Sequence, residues 1–164
     1  MNHSWYLLAG LCLIIISCDP PNYVYEHSDH YTVDSPWLYR DSLVYNFEIK
    51  DTNRYYNLLL ELDHDKRYPF ENLYVKLDTK FPNASTRSDV VSIALADEEG
   101  RWYSDCRGKA CTFYLTLQDQ AIFPSAGNYQ LKLFPWMRSD TIKDIYRVAF
   151  KVEKMGKRPK VKSK

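Results

Sequence analysis

Residues 43–49 read Leu-Val-Tyr-Asn-Phe-Glu-Ile, and apolar side chains occupy every second position of this stretch. In an extended chain, successive side chains point to opposite faces, so a period of two places all of these apolar groups on one face. Leu43, Tyr45, Phe47 and Ile49 form that face, opposite Val44, Asn46 and Glu48. The stretch therefore predicts a strand with one buried face, as is typical of antiparallel sheets.

The same alternation recurs along the chain at short intervals, and no stretch forms a convincing amphipathic helix of ten residues. Further strands are predicted around Tyr56–Leu62, Leu73–Leu77, Val91–Leu95, Trp102–Tyr103, Phe113–Leu117, Tyr129–Leu133 and Tyr146–Val152. Many short alternating strands are typical of a sandwich or a barrel. Because residues 58–60 are apolar on both sides, we predict a single antiparallel β-sandwich of about seven to nine strands.

Composition supports one all-β domain. The chain has 164 residues, of which 45% are hydrophobic and 15% aromatic, with 14 tyrosines against 5 glycines. A chain of this length fits a single domain, and its aromatic and β-branched residues favour strands. The glycines match neither of the glycine-rich phosphate-binding motifs. Rossmann and P-loop folds are therefore excluded.

The charge of the chain is close to balanced but unevenly distributed. The formal net charge is +1, and six basic residues near the C-terminus are Lys154, Lys157, Arg158, Lys160, Lys162 and Lys164. Without them, 16 cations remain against 21 carboxylates, a net charge of −5. A slightly acidic body argues against nucleic acid as a partner. The basic tail, 154–164, is expected to be a disordered, solvated end, with attraction to anionic lipid headgroups as the alternative.

The N-terminus is typical of an exported lipoprotein. Residues 7–17 form an apolar run of eleven residues, too short for the roughly 20 that a bilayer span requires. It reads as the core of a cleaved signal peptide, 1–17, although the preceding residues carry no Lys or Arg. The sequence Ile-Ile-Ser-Cys at 15–18 resembles a lipobox, which predicts acyl chains on Cys18 that anchor the protein in a lipid bilayer. An ordinary cysteine after a conventional signal is the alternative.

The expected organisation of the mature chain follows from these boundaries. Residues 18–35 are predicted to be the lipidated N-terminus and a tether, 36–153 the β-sandwich, and 154–164 the tail. Of the remaining cysteines, Cys106 and Cys111 form an even pair in an oxidising compartment. They are therefore predicted to form a disulfide at a hairpin tip.

Residues suited to catalysis or metal binding are few. The segment Glu26–His30 has zinc-type side chains but lies in the tether or a first edge strand, and Asp63-His64-Asp65 reads as a solvated turn. The chain has no G-x-S-x-G motif. We assign no catalytic residue, no metal ligand and no cofactor. A hydrolase with a carboxylate pair that sequence does not reveal stays open as a third function.

Aromatic side chains are the best candidates for binding. Tyr and Trp combine a large apolar surface with a polar group and are enriched at interfaces. Trp102 and Tyr129, which follow turn glycines, are predicted to lie in the core. The candidates for an interface or for ligand stacking are Trp37, Tyr39, Tyr68 and Trp136.

Several motifs together resemble the GldH-type gliding-motility lipoproteins of the Bacteroidota. Besides the lipobox, the resemblance rests on the Arg67–Tyr74 stretch Arg-Tyr-Pro-Phe-Glu-Asn-Leu-Tyr and on Leu95-Ala96-Asp97 followed by Gly100 and Trp102. Gly127-x-Tyr129 and Met137-Arg138-x-Asp140 extend it towards the C-terminus. The loop between the two cysteines departs from the glycine-rich loop common in the family, and the basic tail is an addition.

The resemblance implies a non-enzymatic lipoprotein of the cell envelope that acts as a scaffold or binding component of a gliding-related complex. It transfers one functional residue, Cys18, and it favours the outer over the inner membrane. Its implied partners are the lipid bilayer and other envelope or gliding proteins. The alternative function is binding of carbohydrate or another envelope polymer through exposed Trp and Tyr.

Overall fold

The computed structural model describes residues 20–159. The predicted signal peptide, 1–17, the predicted lipid-attachment residue Cys18 and the last five residues of the tail lie outside the described residues. No helix within the described range is long and apolar enough to cross a membrane.

Eleven strands make up the regular structure of residues 20–159. In chain order they are β1 (Tyr23–His30), β2 (Trp37–Leu38), β3 (Leu43–Ile49), β4 (Arg54–Asp65), β5 (Asn72–Lys80), β6 (Thr86–Ala94), β7 (Asp105–Arg107), β8 (Ala110–Ala121), β9 (Gly127–Pro135), β10 (Thr141–Ile142) and β11 (Ile145–Lys157).

The strands form two main sheets and one short ribbon. The order in the five-stranded sheet is β1-β11-β4-β8-β7, and that in the four-stranded sheet is β3-β9-β5-β6. The strands β2 and β10 pair with each other. All pairings are antiparallel. The predicted all-β sandwich is therefore confirmed, and its two main sheets contain nine strands.

The core between the sheets is built from the alternating side chains that the sequence singled out. On β3, Leu43, Tyr45, Phe47 and Ile49 are all buried. Tyr45 stacks on Phe150 of β11 with ring centroids 5.1 Å apart, which joins the two sheets. Such aromatic pairs contribute about 0.5–1.5 kcal/mol beyond the area that they bury.

The sheet extends beyond the predicted domain boundaries at both ends. Residues Tyr23–His30, inside the range expected to be a tether, form β1 and pair with β11. The side chain of Tyr25 packs between the sheets against Tyr45 and Phe150, which explains why this segment is ordered as an edge strand. At the other end, β11 continues to Lys157, so the first residues of the expected tail also belong to the sheet.

Candidate functional site

Two of the four aromatic candidates lie in the core. The Trp37 side chain is completely buried, stacks on Tyr31 at 5.7 Å and donates a hydrogen bond to the carbonyl oxygen of Asp41 at 3.0 Å. Tyr68 is buried beside the His64 ring. The prediction that Trp37 and Tyr68 are available for stacking is therefore wrong, because both rings fill space at the end of the sandwich.

The other two candidates are exposed and contact each other. Tyr39 follows β2 and Trp136 follows β9, and their ring centroids lie 5.8 Å apart. Backbone hydrogen bonds fix both positions: the amide of Tyr39 donates to the Asp140 carbonyl at 2.9 Å, and that of Trp136 to the Tyr74 carbonyl at 2.7 Å. Tyr39 and Trp136 are 37% and 45% exposed. The sequence does not predict this contact, since 96 residues separate Tyr39 from Trp136.

The pair belongs to a larger set, here called the aromatic surface, in which the exposed Tyr39, Tyr74 and Trp136 and the half-buried Phe134 surround Lys76. The Lys76 ammonium lies 5.5 Å from the centroid of the Phe134 ring and 6.0 Å from that of Trp136. A cation at this distance is attracted to the negative face of the rings. The arrangement therefore holds the rings in place while leaving them open to a partner.

Strand register explains why these side chains share one face. Lys76 of β5 lies opposite Phe134 of β9. In the next pair, Leu133 is buried and Leu77 packs against the core. Sequence reasoning identified the core-facing residues of β5 and β9 but overlooked Tyr74, Lys76 and Phe134 between them. The available signal was that two of these outward positions, Tyr74 and Phe134, carry aromatic rings instead of small polar groups.

A hollow of about 300 Å³ adjoins the aromatic surface. It is lined by Leu38, Tyr39, Arg40, Asp140 and Thr141. A ring, a guanidinium, a carboxylate and a hydroxyl thus border one depression. Side chains of these types can orient a polar group of a ligand beside the Tyr39–Trp136 pair.

The Asp63–Asp65 segment belongs to β4, with His64 and Asp65 buried and Asp63 half-buried, and is not the solvated turn that the sequence suggested. His64 Nδ1 donates to the Asp65 carbonyl oxygen at 2.9 Å, so Nε2 accepts a hydrogen bond from the Ser104 hydroxyl at 2.7 Å. The Trp102 ring, 4.6 Å away, covers the imidazole. Burial lowers the pKa of His64 below its usual 6.5. The contact fastens the segment before β7 to β4.

Asp65 is held by structural partners. Arg67 Nε donates to its carboxylate at 2.9 Å, and the Tyr146 hydroxyl donates at 3.0 Å. These hydrogen bonds from Arg67, supported by the one from Tyr146, hold the pKa of the Asp65 carboxyl well below its usual range. The carboxylate stays ionised and joins the end of β4 to β11.

The outer face of the five-stranded sheet carries an ion-pair network. Lys151 bridges Glu26 and Glu61 at 3.0 and 2.6 Å, and Arg147 bridges Glu61 and Asp63 at 3.1 and 2.6 Å. Each cation lies between two carboxylates. The network therefore links β1, β11 and β4.

The zinc-type segment Glu26–His30 is divided between two faces of the sheet. Glu26 belongs to the outer ion-pair network, whereas His27 lies 6.1 Å from the Tyr45 ring at the edge of the core. Alternation along β1 thus separates neighbouring side chains that a single metal ion would need together.

The predicted disulfide is present in the structure. Cys106 of β7 and Cys111 of β8 are bonded and face each other across the hairpin. Gly108 at its turn has φ = 65°, a left-handed conformation that glycine adopts without steric cost.

Comparison with known proteins identifies the family of the chain. A family model described as GldH lipoprotein matches residues 23–152, from the first to the last strand. The chain belongs to this family. A gliding motility lipoprotein GldH homolog from Christiangramia forsetii is 26% identical over 160 residues, which cover 92% of this chain and 95% of that protein. The gliding motility lipoprotein GldH of Flavobacterium johnsoniae is 29% identical over 100 residues, 60% of this chain and 59% of the relative. No solved structure matches.

Proposed function

We propose that the chain is a non-enzymatic binding component of a gliding-related assembly in the cell envelope, anchored by acyl chains on Cys18. Membership of a lipoprotein family supports export and membrane anchoring. Two relatives carry the name of gliding motility lipoproteins, which supports a role beside the motility machinery. The outer membrane is the proposed destination.

The aromatic surface is the proposed docking site for a protein partner. The observation that carries this assignment is the exposed Tyr39–Trp136 pair, which is fixed by backbone hydrogen bonds at one end of the four-stranded sheet. Tyr and Trp dominate the binding energy of many protein interfaces, and rings that are already ordered lose little entropy on binding. Lys76, between the rings, is already paired with the Asp78 carboxylate at 3.1 Å, so the proposal assigns recognition to the rings and not to this charge.

A binding role agrees with the chemistry of the buried polar groups. The two that sequence reasoning placed in a turn, His64 and Asp65, are engaged by Ser104, Arg67 and Tyr146 in contacts that join strands. Their perturbed pKa values therefore have a structural cause. This supports a scaffold rather than a hydrolase.

Affinity capture from gently crosslinked native cells tests the proposal. The wild-type chain should enrich other envelope or motility proteins, and Trp136→Ala should lose most of them. Truncation of an interface hot spot costs about 2 kcal/mol or more, or roughly 30-fold in Kd. Tyr114→Ala is the matched control, since Tyr114 is 61% exposed on the other sheet. Cys18→Ala tests the anchor separately. Equal capture by wild type and Trp136→Ala would contradict the assignment.

Carbohydrate binding is the second candidate because the hollow beside Tyr39 places Arg40, Asp140 and Thr141 next to exposed rings. Aromatic rings that stack on sugars, with polar groups at their edge, would suit a polymer of the envelope. A glycan array that shows binding by the wild type and none by Asp140→Ala would favour this candidate. No binding to any glycan would remove it.

A further inference from the structure

The two ends of the described chain lie together at one end of the sandwich. Tyr23, at the start of β1, is paired with Glu153 near the end of β11. The amide of Lys154 donates to the carbonyl oxygen of Asn22 at 2.8 Å. The turn between β3 and β4 closes the same end, because the amide of Arg158 donates to the Asn53 carbonyl at 2.8 Å. We call this region the anchored end.

The chain length between Cys18 and β1 limits how far this end can stand from a bilayer. Only residues 19–22 separate Cys18 from Tyr23. Five residue steps span at most about 18 Å when fully extended. Given the proposed lipid attachment at Cys18, the anchored end must therefore stay close to the lipid headgroups.

The anchored end is basic. Lys50 pairs with Glu48 at 3.3 Å and Arg54 with Asp51 at 3.2 Å, so these four charges largely cancel. Three further cations, Lys154, Lys157 and Arg158, have no carboxylate within 4.0 Å among residues 20–159. Glu153 is the one further carboxylate beside them on β11, which leaves this group with a net charge of +2. The sequence adds three more basic residues after this group, Lys160, Lys162 and Lys164.

We propose that the anchored end docks on anionic phospholipid headgroups of the bilayer that holds the acyl chains. Phosphate oxygens complement the unpaired excess of Lys154, Lys157 and Arg158, and basic residues close to an anionic membrane are each attracted to it. Docking would fix the orientation of the domain in addition to its attachment.

The orientation has a consequence for the aromatic surface. β9 starts with Gly127 at the anchored end and leads to Trp136 at the other end of the sandwich. Nine residue steps of about 3.3 Å place Trp136 roughly 30 Å farther from the membrane. The aromatic surface then faces away from the bilayer, where a partner can reach it.

Lysine acylation of the full-length, lipidated protein tests the docking. The protein is reconstituted in vesicles of phosphatidylcholine alone or with phosphatidylglycerol, floated to show attachment, and footprinted by mass spectrometry. Lys154 and Lys157 should react about fivefold more slowly on phosphatidylglycerol vesicles, the factor that corresponds to ~1 kcal/mol per basic residue. Lys66 and Lys109, joined by a backbone hydrogen bond at the opposite end, are matched controls that should not change. Salt at about 1 M should remove the protection.

The outcomes separate docking from anchoring. Flotation with both vesicle types and equal acylation of Lys154 and Lys157 in both would overturn the docking and leave the anchor standing. Flotation with neither would overturn both. Flotation with phosphatidylglycerol vesicles alone would support docking and contradict the lipid anchor.

Discussion

Acidification from pH 7.5 to pH 5.0 should destabilise the fold through one buried group, His64. Its ring is completely buried under Trp102, and its Nε2 accepts the hydrogen bond from Ser104. Protonation would place a charge in this site and a hydrogen on Nε2, which could then no longer accept the hydrogen bond from Ser104. The folded-state pKa is therefore lowered from 6.5, so the unfolded chain binds the proton more readily. Stability from this group is complete above about pH 6.5 and is lost as the pH falls towards the lowered pKa.

The loss of stability depends on how much more tightly the unfolded chain binds the proton than the folded one. Each tenfold difference in that affinity costs about 1.4 kcal/mol at acidic pH, or roughly 3–6 °C in Tm for a chain of this size. Carboxyls with a lowered pKa, such as Asp65, destabilise the fold only as the pH falls towards their usual pKa of 3.8 and below. The range from pH 7.5 to 5.0 therefore isolates the histidine from them. Thermal unfolding followed by circular dichroism measures the effect.

The control is His64→Gln, which cannot take up a proton at this position. The variant should be less stable than wild type at pH 7.5, yet its Tm should change much less between pH 7.5 and 5.0. The exposed His27 and His30 are present in both proteins and cancel in the comparison. An equal loss of Tm in wild type and variant would refute the reasoning.

Three further changes test the packing. Gly127→Ala should lower the free energy of unfolding by about 1–3 kcal/mol, because Gly127 has φ = 134° and an added Cβ would lie 3.1 Å from Pro82. Gly156→Ala is the control: an added Cβ there meets open space, so stability should hardly change. Arg147→Met removes the ion-pair partner of the half-buried Asp63 carboxylate and should cost about 1–3 kcal/mol by urea unfolding. The exposed Arg107→Met should cost under ~0.5 kcal/mol. Reduction of the disulfide should lower the free energy of unfolding by about 2 kcal/mol, which is the loop-closure entropy expected for so short a loop. Unchanged stability after reduction would contradict this prediction.

The period-two pattern was enough to predict the fold because each strand buries one face. Leu43, Tyr45, Phe47 and Ile49 are buried as their spacing predicts, and Val44 between them is exposed. The pattern was less informative for edge strands. β1 has polar residues on both faces, so nothing in its periodicity distinguishes it from a tether, and its order depends on Tyr25 packing against Tyr45 across the sheets.

The candidate site was only half predictable. Residue type singled out Tyr39 and Trp136, which are exposed, but the same reasoning selected Trp37 and Tyr68, which are buried. Exposure of a ring depends on which elements close over it, and that is a property of the tertiary structure. The pairing of Tyr39 with Trp136 likewise depends on the β2–β10 ribbon, whose two short strands carry too few residues to show a period.

Site-specific photocrosslinking in native cells tests the central claim, that the aromatic surface binds a protein partner. A photoreactive phenylalanine replaces Trp136 in one strain and Tyr114, on the other sheet, in a second. The account predicts ultraviolet-dependent adducts of defined mass at position 136, with envelope or motility proteins identified in them, and none at position 114. Adducts at position 114 alone, or at neither position, would contradict it.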